Sequence, residues 1–144
     1  MLTEKKVIDL DRKTTLSALW IFVLLNVIFR DIHELFRPGL LQEMMMGNVN
    51  GTIITEELLL VFGILLEIPI AMVILSRILQ HRINRLINII ASFITMIMLI
   101  IFGGINDLDD IFFLIMEIIA LIAIIWCAWR WPSSSPSPSP SSLK

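Results

Sequence analysis

The chain has 144 residues and a formal net charge of -2, and 57% of its residues are hydrophobic, with a mean hydropathy of +0.88. A soluble domain is about 45–50% apolar, and a chain of this length cannot bury the surplus in a water-soluble core. The net charge is too small to imply a nucleic-acid partner, and no Lys/Arg-rich groove-binding element is present. The single cysteine, Cys127, excludes an intrachain disulfide and a CxxC motif. We therefore expect an integral membrane protein that contacts the lipid bilayer and has no nucleic-acid partner.

The first apolar segment, Leu16 to Phe29, follows a polar lead-in of mixed charge. No small-residue cleavage motif follows it, and the Arg-Pro-Gly sequence at 37–39 is a strong helix terminator. The pattern predicts an uncleaved transmembrane helix over about residues 15–36. Its apolar part is shorter than the ~20 residues that cross a bilayer, so polar side chains must enter the membrane. They are Arg30, Asp31, His33 and Glu34.

Three further apolar segments have the length of membrane spans. The second helix is predicted over about residues 56–79, with Thr55 as its N-cap, and the third over about 83–102, where a Gly-Gly pair follows. The fourth is predicted over about 110–129. The loop between the first and second helices is rich in Gly and Asn, and its stretch Leu40–Met46 has the composition of a short helix at the membrane interface.

These segments predict an all-α protein, an antiparallel four-helix transmembrane bundle formed by one domain at residues 1–131. Residues 132–144 consist almost entirely of proline and serine. Such a segment has neither apolar surface to bury nor a regular pattern of backbone donors, so we expect a disordered tail.

Basic residues are distributed asymmetrically between the two sets of helix ends. They precede the first helix, separate the second from the third and follow the fourth: Lys5, Lys6, Arg12, Lys13, Arg77, Arg82, Arg85 and Arg130. The opposite loops are mainly acidic. Because Lys and Arg stay on the cytoplasmic side, we predict a multi-pass protein with cytoplasmic N- and C-termini. The tryptophans at 20, 126, 129 and 131 are predicted to form an interfacial aromatic belt on that side.

Ionisable residues inside the predicted helices mark the candidate site. A charge at the centre of a membrane helix costs at least ~2.5–3.5 kcal/mol on insertion scales, so such residues face inward and pair. Arg30 and Glu117 lie at similar depths in their helices, which predicts an ion pair between them. Glu67 is expected near the midplane beside Pro69, with Thr95 at a similar depth. The candidate ligand or proton pocket comprises Arg30, Asp31, His33, Glu67, Thr95 and Glu117.

These polar groups have two interpretations. They line an intramembrane pocket that binds or translocates a small solute or a proton, or they form ion pairs and hydrogen bonds that fix the helix register. The helical spacing of Asn88, Ser92 and Thr95 is typical of residues that form hydrogen bonds between helices, as in the second interpretation. The first interpretation requires Glu67 to face a cavity, and is compatible with a homo-oligomer. The alternative function is a non-catalytic subunit or assembly partner of a larger membrane complex.

No motif supports an enzyme, a metal site or a cofactor. His33 with Asp31 and Glu34 combines one histidine with carboxylates, which is a poor metal site, and the Met-Met-Met run at 44–46 lacks the spacing of a copper site. The sequence contains no nucleophile elbow and no phosphate-binding loop. We therefore predict no catalytic residue, no metal and no cofactor.

Several short segments resemble a known family. They are LSALW and FRPG in and after the first helix, LEIP in the second, RINRLINI at the start of the third and CAWRWP at the end of the fourth. Together, over about Lys13 to Pro132, they resemble a family of small four-span prokaryotic membrane proteins with no assigned function. The resemblance implies the four-span fold and a location in the plasma (cell inner) membrane. A more remote likeness to DoxX-type four-helix membrane proteins rests on architecture alone.

Overall fold

A computed structural model describes residues 4–49, 51–105 and 107–131 of the chain, apart from the side chain of Lys5. The predicted disordered tail lies outside these residues. The elements in chain order are α1 (Glu4–Glu34), α2 (Leu40–Met45), β1 (Asn48–Val49), β2 (Thr52–Ile53), α3 (Glu56–Ile78), α4 (His81–Phe102) and α5 (Leu108–Trp129).

Four of the helices, α1, α3, α4 and α5, are long and apolar enough to cross a membrane. Helix α1 packs against α3 and α5, and α4 packs against the same two helices, so the four close into a ring. The predicted all-α bundle is confirmed. We call the end where α2 lies the α2 end, and the end that contains the short α3–α4 connection the opposite end.

Helix α1 is longer than predicted, because it begins at Glu4 rather than near Thr15. The polar lead-in continues the helix: the Thr15 hydroxyl donates to the carbonyl oxygen of Asp11 at 2.8 Å, and Lys13 lies 3.8 Å from Asp9 one turn earlier. The Asp9–Lys13 ion pair, which joins side chains four residues apart, is of the kind that stabilises helices in water. At about 1.5 Å per residue the helix is about 46 Å long, more than the ~30 Å of a bilayer core, so its first turns extend beyond the span.

The segment between α1 and α3 forms local structure at the α2 end. The predicted short helix is present as α2, and after it β1 and β2 pair antiparallel, with Val49 opposite Thr52. Gly51 has a φ of 81°, which glycine adopts without strain. The two-residue strands were not predicted, because an alternation so short leaves no periodic pattern. As predicted, the Thr55 side chain caps α3 and accepts a hydrogen bond from the backbone N–H of Leu58 at 3.2 Å.

The tryptophans divide between the core and the surface. Trp126 and Trp129 are exposed, as an aromatic belt requires, and the guanidinium of Arg130 lies 4.2 Å from the ring centre of Trp126. Trp20 and Trp131 are buried, so the prediction that all four belong to the belt was wrong. Trp20 packs in the core because its indole N–H has a polar partner inside the bundle, as described below.

Candidate functional site

An ion pair between α1 and α5 lies inside the bundle. Arg30 Nη1 is 3.0 Å from Glu117 Oε2, and the Glu117 side chain is fully buried. The predicted contact is therefore confirmed. The guanidinium passes close to Gly103, where an added Cβ would lie 3.0 and 3.1 Å from its two terminal nitrogens. A glycine after α4 thus leaves the space that the arginine occupies.

The ion pair adjoins a cleft of about 600 Å³ at the α2 end. Residues from α1, α2, α3 and α4 line it, and most are apolar, among them Leu66 and Phe102. Its ionisable lining residues are Arg30, Asp31 and Glu34. A volume of this size is in the range of pockets that bind small organic molecules, and a few polar groups in an apolar wall are typical of such sites.

Asp31 is the acidic group of the cleft whose charge is not neutralised by an ion pair. Arg30 beside it is paired with Glu117, and Glu34 lies 4.0 Å from Arg37. Within the described part of the chain, Asp31 has no basic partner within 4.0 Å. Asp31 is therefore the exposed carboxyl group of the cleft that is accessible to a cationic group.

Deeper in the bundle, buried polar atoms lack partners among the described residues. They are Ser92 Oγ, Thr95 Oγ1 and the second carboxylate oxygen of Glu117, Oε1. Ser92 and Thr95 lie on the interior face of α4 and are almost completely buried. Buried polar atoms of this kind are normally satisfied by protein or by water. Thr95, a predicted pocket residue, is therefore inside the bundle but forms no hydrogen bond with Glu117.

A hydrogen-bonded network occupies the half of the bundle near the opposite end. Asn88 Oδ1 accepts from Trp20 Nε1 at 2.8 Å and from Ser76 Oγ at 3.1 Å, so it joins α4 to α1 and α3. Asn88 Nδ2 donates to Asn84 Oδ1, and Asn84 Nδ2 donates to the carbonyl oxygen of Ser76, both at 2.6 Å. The four-residue spacing of Asn84 and Asn88 already indicated in the sequence that both lie on one face of α4. The sequence did not reveal that Trp20 and Ser76 belong to this network, because it does not show which residues of another helix a side chain contacts.

His33 lies apart from the ion pair. Its Nδ1 is 3.5 Å from Asp109 Oδ2, and its ring meets Phe113 edge-on, with the ring centres 5.4 Å apart. It lines a separate surface cleft of about 380 Å³, together with Asp107 and Asp109. The structure thus does not bring His33 to the cleft of Arg30, because its side chain points from α1 towards the start of α5.

Glu67 does not face the bundle interior, contrary to the prediction. It is exposed, and it is not among the residues that line the cleft, although Leu66 is. Pro69 is buried instead. Residues two apart on a helix point in nearly opposite directions, so packing Pro69 inward turns Glu67 outward.

The ring of long apolar helices around a buried ion pair defines a small all-α membrane-spanning protein. The chain belongs to DUF6326, a family of unknown function, whose model matches residues 6–136. The resemblance to a family of small four-span proteins without an assigned function is thereby confirmed. No curated protein and no solved structure matches the chain.

Proposed function

We propose that the protein binds a small amphiphilic cation, an amine or quaternary ammonium compound with an apolar body, in the cleft at the α2 end. This proposal rests on the exposed carboxylate of Asp31, which lies in a mostly apolar wall and has no basic partner within 4.0 Å among the described residues. An apolar body fits the surfaces of α3 and α4, while the cationic group neutralises Asp31. The buried Arg30–Glu117 pair holds α1 and α5 in register beside the cleft.

The proposed location is the plasma membrane, with both chain termini in the cytoplasm. Arg77, Arg82 and Arg85 at the opposite end support this orientation, because basic residues stay on the cytoplasmic side. The cleft then opens towards the non-cytoplasmic side. The Asn88 network fills the bundle interior towards the other side, which favours binding from one face of the membrane.

A pair of ions of the same shape and opposite charge tests the proposal. The full-length chain in lipid nanodiscs is dialysed against tetraphenylphosphonium or tetraphenylborate, with empty nanodiscs as the blank. We expect saturable binding of the phosphonium alone. Asp31→Asn should weaken it about tenfold, the factor that ~1.4 kcal/mol represents.

Glu56→Gln is the matched control, since Glu56 is an exposed acid at the same end of the bundle that does not line the cleft. Its affinity for the phosphonium should equal that of the parent protein. Saturable binding of tetraphenylborate, or an unchanged affinity in Asp31→Asn, would rule out a cation site at Asp31.

A role as a non-catalytic subunit of a larger membrane complex is the second candidate. The exposed Glu67 is the observation behind it, because an acid on the outer surface of a membrane helix needs a protein partner, either another subunit or a second copy of the chain. Co-purification from mild detergent tests it: a stoichiometric second protein that is lost in Glu67→Leu would support the subunit role, and purification of the chain alone would refute it.

A further inference from the structure

Helix α3 is the least buried of the four apolar helices. Of the most apolar 18-residue segment of α3, 11% is buried inside the structure, compared with 33% of the corresponding segments of α1, α4 and α5. The exposed side chains Leu60, Ile64 and Ile74 form a stripe on the outward face of α3. Leu60 and Ile74 lie seven residues before and after Glu67, and Ile64 lies three residues before it, so all of them share one side of the helix with Glu67. Glu67 itself is exposed in the middle of the stripe.

Glu67 lies near the middle of α3, and so near the midplane of a membrane that this helix crosses. It is about 16 Å along α3 from Glu56, in a helix about 35 Å long, at about 1.5 Å per residue. Among the described residues it has no ion pair and no side-chain hydrogen bond. An acid at this depth is expensive in lipid and is normally covered by protein.

We infer that this face of α3 binds the same face of a second copy of the chain, in a parallel dimer whose two-fold axis is normal to the membrane. Both copies insert with the same orientation, so each residue lies at the same depth in the two, and Glu67 meets its counterpart at the axis. A protonated carboxyl group is self-complementary, since it donates one hydrogen bond and accepts another. Two such groups therefore satisfy each other.

Two features of the chain favour this arrangement. In the described part of the apolar helices, no basic side chain is exposed near the middle of any helix. No face of a second copy other than that of α3 therefore offers a group that pairs with Glu67. Gly63, one turn before Glu67, has no atom within 4 Å of the position of an added Cβ. It therefore leaves room for a second helix to approach closely. The inference does not depend on the proposed cation site.

The first test measures self-association of the full-length chain in nanodiscs or detergent, by fluorescence transfer between labelled copies. Glu67→Gln should keep the parental dissociation constant within about threefold, because a side-chain amide is also self-complementary. Glu67→Leu should raise it about tenfold or more, since leucine keeps the apolar stripe but removes the hydrogen bonds. A monomeric parent protein, or a dimer that Glu67→Leu leaves unchanged, would overturn the inference.

The second test uses disulfide formation and does not disturb the carboxyl group. In a background in which the buried Cys127 is replaced by alanine, Ile74→Cys places a cysteine on the stripe. Ile97→Cys places an equally accessible one on α4, since the two isoleucines are 63% and 55% exposed. Oxidation in the membrane should cross-link Ile74→Cys into a covalent dimer and leave Ile97→Cys monomeric. Equal cross-linking of the two variants, or none in either, would contradict a dimer through α3.

Discussion

Arg30 on α1 and Glu117 on α5 join the first and the last of the long helices, with 3.0 Å between Nη1 and Oε2. Helices α1 and α5 are in contact along the bundle, so this pair lies where the ring of four helices closes. Both side chains are shielded from solvent. Each charge is therefore tolerable only because the other is present.

Removal of one member of this pair should destabilise the protein more than removal of both. Glu117→Leu leaves the Arg30 guanidinium buried without a counter-charge, and we expect a loss of ~3–5 kcal/mol in the free energy of unfolding. The double variant Arg30→Met/Glu117→Leu should recover most of that loss. Unfolding in mixed micelles by titration with dodecyl sulfate measures both.

An exposed ion pair provides the control for that experiment. Lys13 lies 3.8 Å from Asp9, and Lys13→Gln should change the free energy of unfolding by less than ~1 kcal/mol. A double variant as unstable as Glu117→Leu would show that the pair matters for packing rather than for charge compensation.

Asn88 should contribute more to stability than any other uncharged polar residue of the bundle, because it joins three helices. Asn88→Leu leaves the Trp20 indole N–H and the Ser76 hydroxyl without their acceptor, and we expect a loss of ~1–3 kcal/mol. Combining it with Trp20→Phe tests their coupling: the loss in the double variant should fall short of the sum of the single losses by ~0.5 kcal/mol or more. Additive losses would mean that Trp20 and Asn88 do not interact.

Thr95→Val should stabilise the protein, in contrast to Asn88→Leu. The Thr95 hydroxyl has no hydrogen-bond partner in the described part of the chain, and valine has nearly the same shape. We expect a gain of ~1–3 kcal/mol in the free energy of unfolding, because valine removes a buried hydroxyl that has no partner. A loss above ~1 kcal/mol would reveal a hydrogen bond from Thr95, for example to a buried water molecule.

Gly103→Ala should disturb the ion pair. The added methyl would lie 3.0 and 3.1 Å from the two terminal nitrogens of Arg30, and closer still to the carbonyl oxygen of Leu99. We expect a loss of ~1–3 kcal/mol, as for other overpacked sites. Gly63→Ala is the control, because its added methyl meets nothing within 4 Å. In monomeric protein it should be neutral or should stabilise α3 by ~0.5–1 kcal/mol.

The prediction of the Arg30–Glu117 contact succeeded because it needed only the depths of the two residues. Depth follows from the helix ends and the rise of about 1.5 Å per residue, and burial of a charge in lipid demands a partner at the same depth. The ends of α3 and α4 were likewise predicted within one or two residues, from a capping threonine and a glycine pair. The start of α1 was misplaced, since charged residues continue a helix into water without an apolar pattern.

The sequence by itself determined that this is an all-α protein with four apolar helices, and it determined the position of each charged residue along them. Only the tertiary structure decided which way each helix faces. Helix α3 is apolar on nearly every side, so its pattern does not distinguish the face of Glu67 from the face of Pro69. The rotation of such a helix about its axis is set by how its side chains pack against its neighbours. That packing turned Glu67 outward and drew Trp20 into the core beside Asn88.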